Sequence, residues 1–505
     1  MPRVISLLDM QIADLNSESL GVPRTWLMEN AGAGLAELVE KIINEQKLEK
    51  VMIASGIGGN GGDGLVAARH LTGRAEVQVI LIGDSKRLSG PTKANWDAIK
   101  QLSFSVKLSE AKVPDKIPPI EEWKDSVIID ALLGTGVEGN LREPVATCVK
   151  YINQAREEGS VVISADVPSG INPSTGETAD IFILPDYTVC FHALKPALEH
   201  FQYGQTSVHN IGIPPEAEFV AGPGDLLPIK RRKKWTHKGE HGRILIVGGS
   251  KNYSGAPGLA ALGAQAAGAD LITILTSKSV AAPIRSYSPN LIVREYETDF
   301  FEAGSTHLAL DLAQVQADAI LVGPGMGNMP ETISAIEDLI NDLIQYKIPV
   351  VVDADALKIS PDLLLQISVL TPHAKEFELI TGREIPKGDK SIPLRLQTVV
   401  EATKNGNAVF LVKGAVDVIC SPSRWKINKT GVPQMSVGGT GDVLAGVTTT
   451  FLALTNDPFR AATASAYING RAGELALNNK HPFTASRVAQ YVHMAIQEAQ
   501  KIIES

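Results

Sequence analysis

The chain alternates between short apolar runs and amphipathic stretches. Between Leu27 and Ile42, apolar residues recur at helical spacing, so residues 1–49 are predicted to be mainly helical. Apolar runs of about four to six residues that end in glycine, proline or aspartate are typical of buried parallel strands. In the first half of the chain we predict strands at 51–54, 77–82, 127–130, 161–166 and 187–191, with 187–191 as the last strand of a first sheet.

A glycine-rich segment follows the first predicted strand directly. Residues Ser55–Gly64 contain six glycines in ten positions and lead into a helix predicted over Leu65–His70. A strand, a glycine-rich turn and a helix in this order form the phosphate-binding arrangement of dinucleotide-binding folds. Because so many glycines cost backbone entropy, an ordinary connection seldom carries them, and we predict that this segment binds a ligand.

Polar side chains stand at the ends of several of these strands. Asn60 and Asp63 follow the first strand, and Asp130 ends the third. Asp166 and Ser169 follow the fourth. The carboxyl ends of parallel strands share one edge of a sheet, so these side chains are expected to converge there. Oxygen donors without a Cys or His cluster favour a hard cation over zinc, although each aspartate taken singly could equally cap a turn.

One lysine belongs to the same edge of the predicted sheet. Lys195 follows the strand predicted at 187–191. It would supply a positive charge to a phosphate or a carboxylate there, or it is an ordinary surface lysine.

Four segments of the first half resemble a known family. They are Leu27–Gly32, Asn60–Gly64, Asp130 with Gly134, and Asp166–Gly170. Together they are similar to the N-terminal domain of the bifunctional nicotinamide-nucleotide hydrate repair enzymes. In that family this domain is a Rossmann-like three-layer sandwich with NAD(P)HX epimerase activity, so the resemblance implies the same fold and activity here.

The resemblance also implies roles for individual residues. A potassium ion would be bound by Asn60, Asp130 and Ser169, and Asp166 would act as acid and base. This chain has Gly59 where the family usually has a further asparagine, so position 59 offers no side chain. The residues implied to bind the hydrated nucleotide are Gly59, Asn60, Gly61, Gly62, Asp63, Gly134, Thr135, Gly136, Val137, Glu138, Gly139, Asn140 and Asp166.

The alternation of strands and helices begins again after residues 211–239, which are rich in proline, glycine and charge and form the best linker candidate. We place a first domain at 1–222 and a second at 223–505. The basic run Lys230–Lys234 is a solvated surface or a nucleic-acid patch, and the acidic net charge favours a solvated surface.

The order of elements in the second half predicts a second doubly wound sheet. Its elements are strands at 244–247, 319–322, 348–353, 369–370 and 408–412, a hairpin at 408–419 and a helix at 259–269.

A second glycine-rich turn, Gly438–Asp442, precedes a helix predicted from Val443. Its N–H groups would lie at the start of that helix, where the helix dipole favours an anion. Asp442 would repel a bound phosphate, so it is better suited to take a proton from a hydroxyl that receives a phosphoryl group. As an isolated motif, the segment could also be a tight turn capped by an aspartate.

The second half resembles the ribokinase-like superfamily, in which such a turn supplies both an anion hole and a base. Gly323–Gly327, Thr371–His373, Lys413–Gly414 and Gly438–Gly446 are similar to the ADP-dependent NAD(P)HX dehydratase domain of the same repair enzymes. The resemblance implies that ADP, with Mg²⁺, is a co-substrate of this domain. The residues implied to contact the adenine nucleotide are Lys413, Gly414, Ala415, Val416, Asp417, Gly438, Gly439, Thr440 and Gly441.

The same resemblance implies a site for the hydrated nucleotide in the second half. It would be lined by Ala256, Met326, His373 and Asp442, with Asp442 as the catalytic base. Without the resemblance, His373 would be read as a hydrogen-bonded histidine of the core.

Together, the two resemblances imply an enzyme that epimerises the R and S forms of NAD(P)HX. It would dehydrate the S form to NAD(P)H while ADP becomes AMP and phosphate. Two alternatives stay open at this point. The second half could be a ribokinase-like small-molecule kinase, such as one that acts on hydroxymethylpyrimidine, and the first half could be a non-catalytic nucleotide-binding module.

Length and composition fit two large α/β domains. The chain has 505 residues, of which 44% are hydrophobic and 20% charged, and its net charge of −9 argues against a nucleic-acid partner. Cys148, Cys190 and Cys420 show no metal-binding spacing, so we expect no disulfide framework and a reducing cytoplasm. No signal peptide is recognised, and no apolar run reaches the about 20 residues of a membrane span. We therefore expect a cytoplasmic protein without a membrane partner, and a homo-oligomer.

Overall fold

The computed structural model describes residues 3–134, 139–200, 203–386, 388, 392–404, 406–477 and 482–504. It divides into two compact units, Met1–Pro215 and Glu216–Glu504. The division falls inside the segment 211–239 and somewhat before the boundary placed between residues 222 and 223.

The first unit is built on one parallel sheet of seven strands in the order β3-β2-β1-β4-β5-β6-β7. The strands are β1 Lys50–Ser55, β2 Glu76–Ile82, β3 Val106–Ala111, β4 Val127–Ala131, β5 Val161–Ala165, β6 Tyr187–Phe191 and β7 Gln205–His209. The helices are α1 Leu7–Ser19, α2 Arg24–Gln46, α3 Gly59–His70, α4 Gly90–Lys100, α5 Val145–Glu157 and α6 Pro196–His200.

Helices cover both faces of this sheet. Gly64 of α3 lies against Ile53 of β1 and Ala131 of β4 on one face. Cys148 of α5 shares a core with Met52 of β1 on the other face. The strand order reverses between β1 and β4, so the loops after these two strands open side by side. Ligands bind at such a switch point in parallel sheets, which makes this edge the candidate site of the first unit.

Two strands of this sheet escape the sequence-based prediction. β3 precedes the strand predicted as the third, and β7 follows the strand predicted as the last, so the prediction that 187–191 ends the sheet is wrong. Both strands lie at an edge of the sheet. No residue of β7 is buried, and only the two end residues of β3 are. An edge strand with solvent on both sides has no continuous apolar run to reveal it.

The second unit contains a nine-stranded sheet in the order β10-β9-β8-β11-β12-β13-β14-β15-β16, parallel from β10 to β14 and antiparallel beyond. The strands are β8 Arg243–Val247, β9 Leu271–Ser277, β10 Ile292–Tyr296, β11 Ala319–Val322, β12 Val350–Val352, β13 Val369–Leu370, β14 Val409–Val412, β15 Asp417–Cys420 and β16 Trp425–Asn428. The helices are α7 Glu216–Phe219, α8 Gly255–Ala266, α9 Lys278–Arg285, α10 Ala303–Gln316, α11 Pro330–Gln345, α12 Pro361–Leu364, α13 Ala374–Thr381, α14 Ile392–Thr403, α15 Thr440–Thr455, α16 Pro458–Leu477 and α17 Ala485–Glu504.

Successive residues of each central strand of this sheet face different helical layers. Leu321 of β11 shares a core with α8, α15, α16 and α17, whereas the neighbouring Ile320 shares a core with α10, α11 and α13. This is the alternation expected of a strand buried on both faces. The expected α/β class, with a parallel sheet in each of two units, is confirmed.

Three helices begin earlier than the sequence predicts. α3 begins at Gly59, α8 at Gly255 and α15 at Thr440, so residues predicted to form loops belong to first helical turns. Glycine is a poor helix former, which is why propensity misplaces these starts. Packing overrides propensity here because a glycine allows close approach. A Cβ on Gly61 of α3 would overlap the carbonyl oxygen of Gly56.

None of the described helices is long and apolar enough to cross a membrane. The three cysteines are buried and unpaired, as expected. Burial raises the pKa of the Cys148 thiol and raises that of Cys190 to about 12, so neither is a reactive thiolate at neutral pH.

Helices α8 and α15 pack with their backbones almost in contact. A Cβ on Gly446 of α15 would overlap the carbonyl oxygen of Ala260 in α8. From the other side, a Cβ on Gly263 of α8 would come within 2.5 Å of the Val443 carbonyl oxygen in α15. Only glycine allows this distance between the two helices.

Substituting Gly446 by alanine should therefore destabilise the second unit. The obstructing atom is a backbone oxygen that cannot rotate away, and overpacking of this kind costs about 1–3 kcal/mol or more. Gly304→Ala is the matched control, because Gly304 is exposed in α10 and a Cβ there meets nothing within 4 Å. The control should be neutral or stabilise by up to about 1 kcal/mol. Denaturant unfolding of both variants measures the difference, and equal stabilities would contradict the packing described here.

Candidate active sites

The loops after β1 and β4 meet at the switch point of the first sheet. Asn60 donates its Nδ2 group to the carbonyl oxygens of Leu133, at 3.2 Å, and Ala165, at 2.8 Å. The Ser169 hydroxyl accepts a hydrogen bond from the Leu133 N–H at 3.0 Å. A Cβ on Gly134 would overlap the Asn60 amide, so only glycine fits beside it. The side chains of Asn60 and Ser169 thus hold Leu133 between them.

Asp130 is buried beneath this loop, with 1% of its surface exposed. Its Oδ1 accepts a hydrogen bond from the Ser169 hydroxyl at 2.6 Å, and its Oδ2 accepts from the Ser169 N–H at 2.9 Å and the Ser164 hydroxyl at 2.8 Å. Burial raises the pKa of Asp130, and these hydrogen bonds act in the opposite direction. The structure therefore brings Asn60, Asp130 and Ser169 into one oxygen-rich group.

Asp166 forms an ion pair with Lys195, whose ammonium group also donates to the Phe191 carbonyl oxygen at 3.0 Å. Only 1% of Lys195 is exposed. The lysine is therefore neither a surface residue nor a free cation for a ligand, because a buried charge needs an internal partner. Asp166 has a φ of 63°, a left-handed conformation that is strained for a residue with a side chain and is frequent at functional sites.

Two further carboxyl groups lie near this ion pair. Burial, and next the charge of Asp166, raise the pKa of Asp63 well above its usual range. Burial also raises the pKa of Asp14, on α1, to about 7. Sequence reasoning missed Asp14 because no motif marks it. A bridge between Val4 and Leu194 brings the N-terminal segment to this edge of the sheet, and the sequence shows no sign of that long-range pairing.

The predicted nucleotide-binding segments of the first unit are only partly described. Thr135, Gly136, Val137 and Glu138 lie outside the described residues. Asn140 accepts a hydrogen bond from the Asp180 N–H at 3.3 Å, and Gly139 has a φ of 72°. Gly59 is exposed at the start of α3. The predicted residues that are instead buried within α3 are Gly61, Gly62 and Asp63.

In the second unit, the turn Gly438–Asp442 leads into α15. Gly439 has a φ of 98°, and a Cβ there would also collide with Leu259, so the position requires glycine. Asp442 lies in the first turn of the helix, at the positive end of its dipole. The Lys413 ammonium lies 3.3 Å from the position of a Cβ on Gly441. A cation and a carboxyl group therefore meet at the start of α15.

A buried carboxylate fixes this lysine. Asp353, which follows β12 and is 2% exposed, accepts a hydrogen bond from the Lys413 ammonium at 2.8 Å. Burial and then the Asp353 charge raise the pKa of Asp442 to about 7, and Lys413 partly offsets them. A carboxyl group that titrates near neutral pH is well suited to general base catalysis.

A cavity of about 680 Å³ opens beside this charged group. Its walls are the start of α15, the turn between β14 and β15, the segment 430–436 and α16. A volume of this size is typical of small-molecule sites. The residues predicted to contact the adenine nucleotide that line the cavity are Lys413, Gly414, Ala415, Asp417, Thr440 and Gly441, whereas Val416, Gly438 and Gly439 lie outside its lining.

His373 also lines the cavity and is not a core residue, since 53% of its side chain is exposed. It caps α13, where its Nδ1 accepts hydrogen bonds from the N–H groups of Lys375, at 3.1 Å, and Glu376, at 3.2 Å. This network assigns the proton of the neutral ring to Nε2. A ring held in this way presents a donor rather than an acceptor.

Ala256 and Met326 follow β8 and β11, the two strands at the switch point of the second sheet. Ala256 lies in the first turn of α8, with its Cβ 3.4 Å from a Cβ position on Gly325. The side chain of Met326 is fully buried in the core, so the structure does not bring it to the site. The same loop is held by Asp355, which accepts a hydrogen bond from the Gly327 N–H at 2.9 Å.

Sequence reasoning missed the wall of the cavity that α16 forms. Asn428, at the end of β16, donates its Nδ2 group to Asp417, at 3.0 Å, and to the Ala466 carbonyl oxygen, also at 3.0 Å. The Thr430 hydroxyl donates to the Tyr467 carbonyl oxygen at 3.1 Å. No motif marks these residues, and the only signal was a few polar side chains within otherwise apolar elements.

Known proteins match both units. The model of a family described as YjeF-related protein N-terminus matches residues 24–197, and that of NAD(P)H-hydrate dehydratase matches residues 244–495. A bifunctional NAD(P)H-hydrate repair enzyme of Methanothermobacter thermautotrophicus is 40% identical over 97% of this chain and 94% of its own. Its counterpart in Hyperthermus butylicus is 39% identical over 95% of this chain and 89% of its own.

The chain belongs to the bifunctional NAD(P)H-hydrate repair enzymes. The family expected from the sequence motifs is thus confirmed. Among solved structures, the ADP/ATP-dependent NAD(P)H-hydrate dehydratase of Bacillus subtilis, co-crystallised with ATP and Mg²⁺, is 25% identical with a TM-score of 0.47. The match covers 55% of this chain and 96% of that one.

Replacing Asp442 by asparagine should stabilise the second unit at alkaline pH. The pKa of Asp442 rises from 3.8 to about 7 in the folded protein, so the folded state keeps a proton that the unfolded chain loses between these values. Stability should therefore fall as the pH rises through this window. Asparagine mimics the protonated acid and should recover at most about 4 kcal/mol above it.

Denaturant unfolding at about pH 4 and about pH 8 checks this expectation. Asp299→Asn serves as the control, because Asp299 is exposed and the hydrogen bond from Lys251 lowers its pKa. The control should gain nothing at alkaline pH. A gain for Asp442→Asn that is equal at the two pH values would contradict the burial of an ionised Asp442.

Proposed function

We propose that this protein repairs hydrated nicotinamide nucleotides through two activities. The first unit epimerises NAD(P)HX, and the second dehydrates its S form to NAD(P)H while ADP becomes AMP and phosphate. The observation that carries the proposal is the meeting of Asp442 and Lys413 at the start of α15, beside a cavity of nucleotide size. An anion hole, a cation and a base at one point are the groups that phosphoryl transfer requires.

The dehydration needs a phosphoryl transfer because hydroxide is a poor leaving group. NAD(P)HX carries a hydroxyl on carbon 6 of the reduced nicotinamide ring. When that oxygen bonds to the β-phosphorus of ADP, the bond from phosphorus to the bridging oxygen breaks and AMP leaves. The bond from carbon 6 to oxygen then breaks, phosphate departs with the electron pair, and the ring nitrogen supplies electrons. Loss of a proton from carbon 5 restores NAD(P)H.

Each group at the start of α15 has a part in this reaction. Asp442 accepts the proton of the attacking hydroxyl, which its raised pKa favours at neutral pH. The N–H groups of Gly439–Gly441 and the Lys413 ammonium stabilise the negative charge on the transferring group. Asp353 keeps Lys413 in place through the hydrogen bond of 2.8 Å. Ala256, in the first turn of α8, and His373, which caps α13, border the hydrated nucleotide.

The start of α15 suits Mg²⁺ that is bound through the phosphates of ADP. Within the described residues, no group of three or more His, Cys, Asp or Glu side chains is arranged to hold a metal ion. Mg²⁺ does not need such a group, since it keeps several waters and binds through one or two carboxylates and substrate phosphates. Asp442 belongs to the turn, and Asp353 lies close enough to raise the pKa of Asp442, so both carboxyl groups are available at this edge. The ion would neutralise charge on the phosphates.

In the first unit, two neighbouring carboxyl groups, Asp63 and Asp166, suit the exchange of epimers. The bond from carbon 6 to the hydroxyl must break, and water must add to the opposite face of the ring. Burial raises the pKa of Asp63, which favours the protonated form that can donate to the leaving hydroxyl. Asp166, paired with the Lys195 ammonium, is a carboxylate and takes a proton from the incoming water. Paired acids of this kind supply general acid and base together.

The oxygen-rich group at the switch point fits K⁺. Its donors are the Asn60 and Ser169 side chains with the carbonyl oxygens of Leu133 and Ala165, and Asp130 lies behind them with its charge. Neutral oxygens with one nearby carboxylate suit a hard cation. These residues would hold the ion, which would fix the loop that borders the hydrated nucleotide.

The proposal predicts that the protein returns NADH absorbance when mixed NADHX is incubated with ADP, Mg²⁺ and K⁺, and that omission of ADP abolishes the recovery. Asp442→Asn should lower this rate by about 10²–10⁴-fold while ADP binding, measured by calorimetry, is retained. An Asp442→Asn variant with the parent's turnover would remove Asp442 as the base. A stable phosphorylated alcohol in place of NADH would identify a kinase.

Asp166→Asn should abolish the epimerase alone. With this variant, the S form of NADHX should be consumed as in the parent, and the R form only at the rate of its spontaneous epimerisation. Chromatography of the two epimers during the reaction measures both rates. Asp180→Asn, an exposed aspartate of the same unit, should leave both unchanged. If the R form disappears as fast as in the parent, Asp166 has no role in catalysis.

A further inference from the structure

Arg395 of α14 contacts the turn between β14 and β15 but does not line the cavity that this turn borders. Its Nη2 group donates to the Lys413 carbonyl oxygen at 3.1 Å. Its guanidinium also lies against Gly414, where a Cβ would come within 2.3 Å of Nη2. A side chain at position 414 would displace the guanidinium, so glycine preserves this contact.

The peptide between Lys413 and Gly414 is held at both of its polar ends. Its carbonyl oxygen accepts the hydrogen bond from Arg395, and its N–H donates to the Asp417 carboxylate at 2.9 Å. The Nδ2 group of Asn428 orients Asp417 in turn, at 3.0 Å. A peptide whose donor and acceptor are both bonded cannot rotate without losing a hydrogen bond, so the turn has one preferred shape.

The helix that carries Arg395 is anchored on the same sheet. Val399 is fully buried in α14 and shares a core with residues of β14 and β15. The Thr403 hydroxyl, at the end of the helix, lies 3.1 Å from the Cys420 sulfur of β15. Residues 395, 399 and 403 are four positions apart and therefore lie on one face of the helix. The guanidinium thus reaches the turn from a fixed backbone.

The charge of Arg395 is costly where it lies. Burial lowers the pKa of Arg395, and the charge of Asp417 opposes this shift. An apolar side chain could fill a place of this kind without such a cost. A guanidinium at this position is therefore explained by its hydrogen bond to the turn rather than by the stability of the fold.

We propose that Arg395 is a positioning residue for the adenine nucleotide, which fixes the peptide between Lys413 and Gly414 and thereby the wall of the cavity that the turn forms. The inference rests on the proposed dehydratase and adds a residue that acts through the turn. The Lys413 ammonium is held independently by Asp353, at 2.8 Å, so loss of Arg395 should spare the chemical step. The loss should appear in ADP binding, because residues of the turn line the cavity.

Steady-state kinetics of the full-length protein with mixed NADHX and ADP tests this assignment. Arg395→Met removes the charged donor and should raise the KM for ADP by about 10-fold or more. Its kcat and its KM for NADHX should stay within about threefold of the parent, since the change affects binding of one substrate. Arg395→Lys keeps a cation that can reach the Lys413 carbonyl oxygen and should recover most of the ADP affinity.

Arg383→Met is the matched control, because Arg383 is exposed and its ion pair with Glu401, at 2.8 Å, also joins it to α14. The control should leave all three constants unchanged. Gly414→Ala is a second variant, which displaces the guanidinium without removing it. It should raise the KM for ADP more in the parent than in the Arg395→Met background, because the collision is absent there.

The assignment is overturned if Arg395→Met keeps the parent's KM for ADP. It is also overturned if kcat falls while this KM is unchanged, or if Arg395→Lys loses as much affinity as Arg395→Met. Effects of Arg395→Met and Gly414→Ala that simply add would show that the two residues act independently, against the proposal. A folded parent that forms no NADH would instead contradict the proposed dehydratase, and this inference with it.

Discussion

At each site a lysine pairs with a buried aspartate. Lys195 neutralises Asp166 in the first unit, and Lys413 neutralises Asp353 in the second. A buried charge is stable only with a partner, so neither lysine can be removed without leaving its aspartate uncompensated. At each site burial raises the pKa of a neighbouring carboxyl group, Asp63 in the first unit and Asp442 in the second, and the charge of the paired aspartate raises it further. Each unit thus obtains a carboxyl group whose pKa is raised first by burial and then by a nearby negative charge.

Much of the fold could be predicted because its central strands are buried on both faces. Runs such as Val161–Ala165 have no polar face, and the polar residues that follow them mark the edge at which parallel strands end. The rule placed Asn60, Asp130 and Ser169 at one edge together with other polar residues, and the family resemblance singled these three out. The turn at Gly438–Asp442 was recognisable for a related reason, since a helix start that binds an anion needs glycine.

What the sequence could not show depends on contacts between distant segments. The edge strands β3 and β7 are polar. Each pairs with a neighbouring strand on one side only and is therefore mostly not buried. Lys195 resembled a surface lysine, since nothing in its local sequence reveals that Asp166 lies beside it. Asp14 and Arg395 belong to helices without a motif, and their positions beside the two sites follow only from packing. Met326 shows the opposite case, because it belongs to a matching motif and yet its side chain packs into the core.

The close contact of α8 and α15 has a mechanical consequence. Ala256 lies in the first turn of one helix and Asp442 in the first turn of the other, and backbone meets backbone along Gly446 and Gly263. Because the backbones come this close at the two glycines, a slide of one helix along the other would drive backbone atoms into each other. The helix starts that carry Ala256 and Asp442 therefore move as one rigid piece. A substitution that separates the two helices would therefore change turnover and thermal stability together.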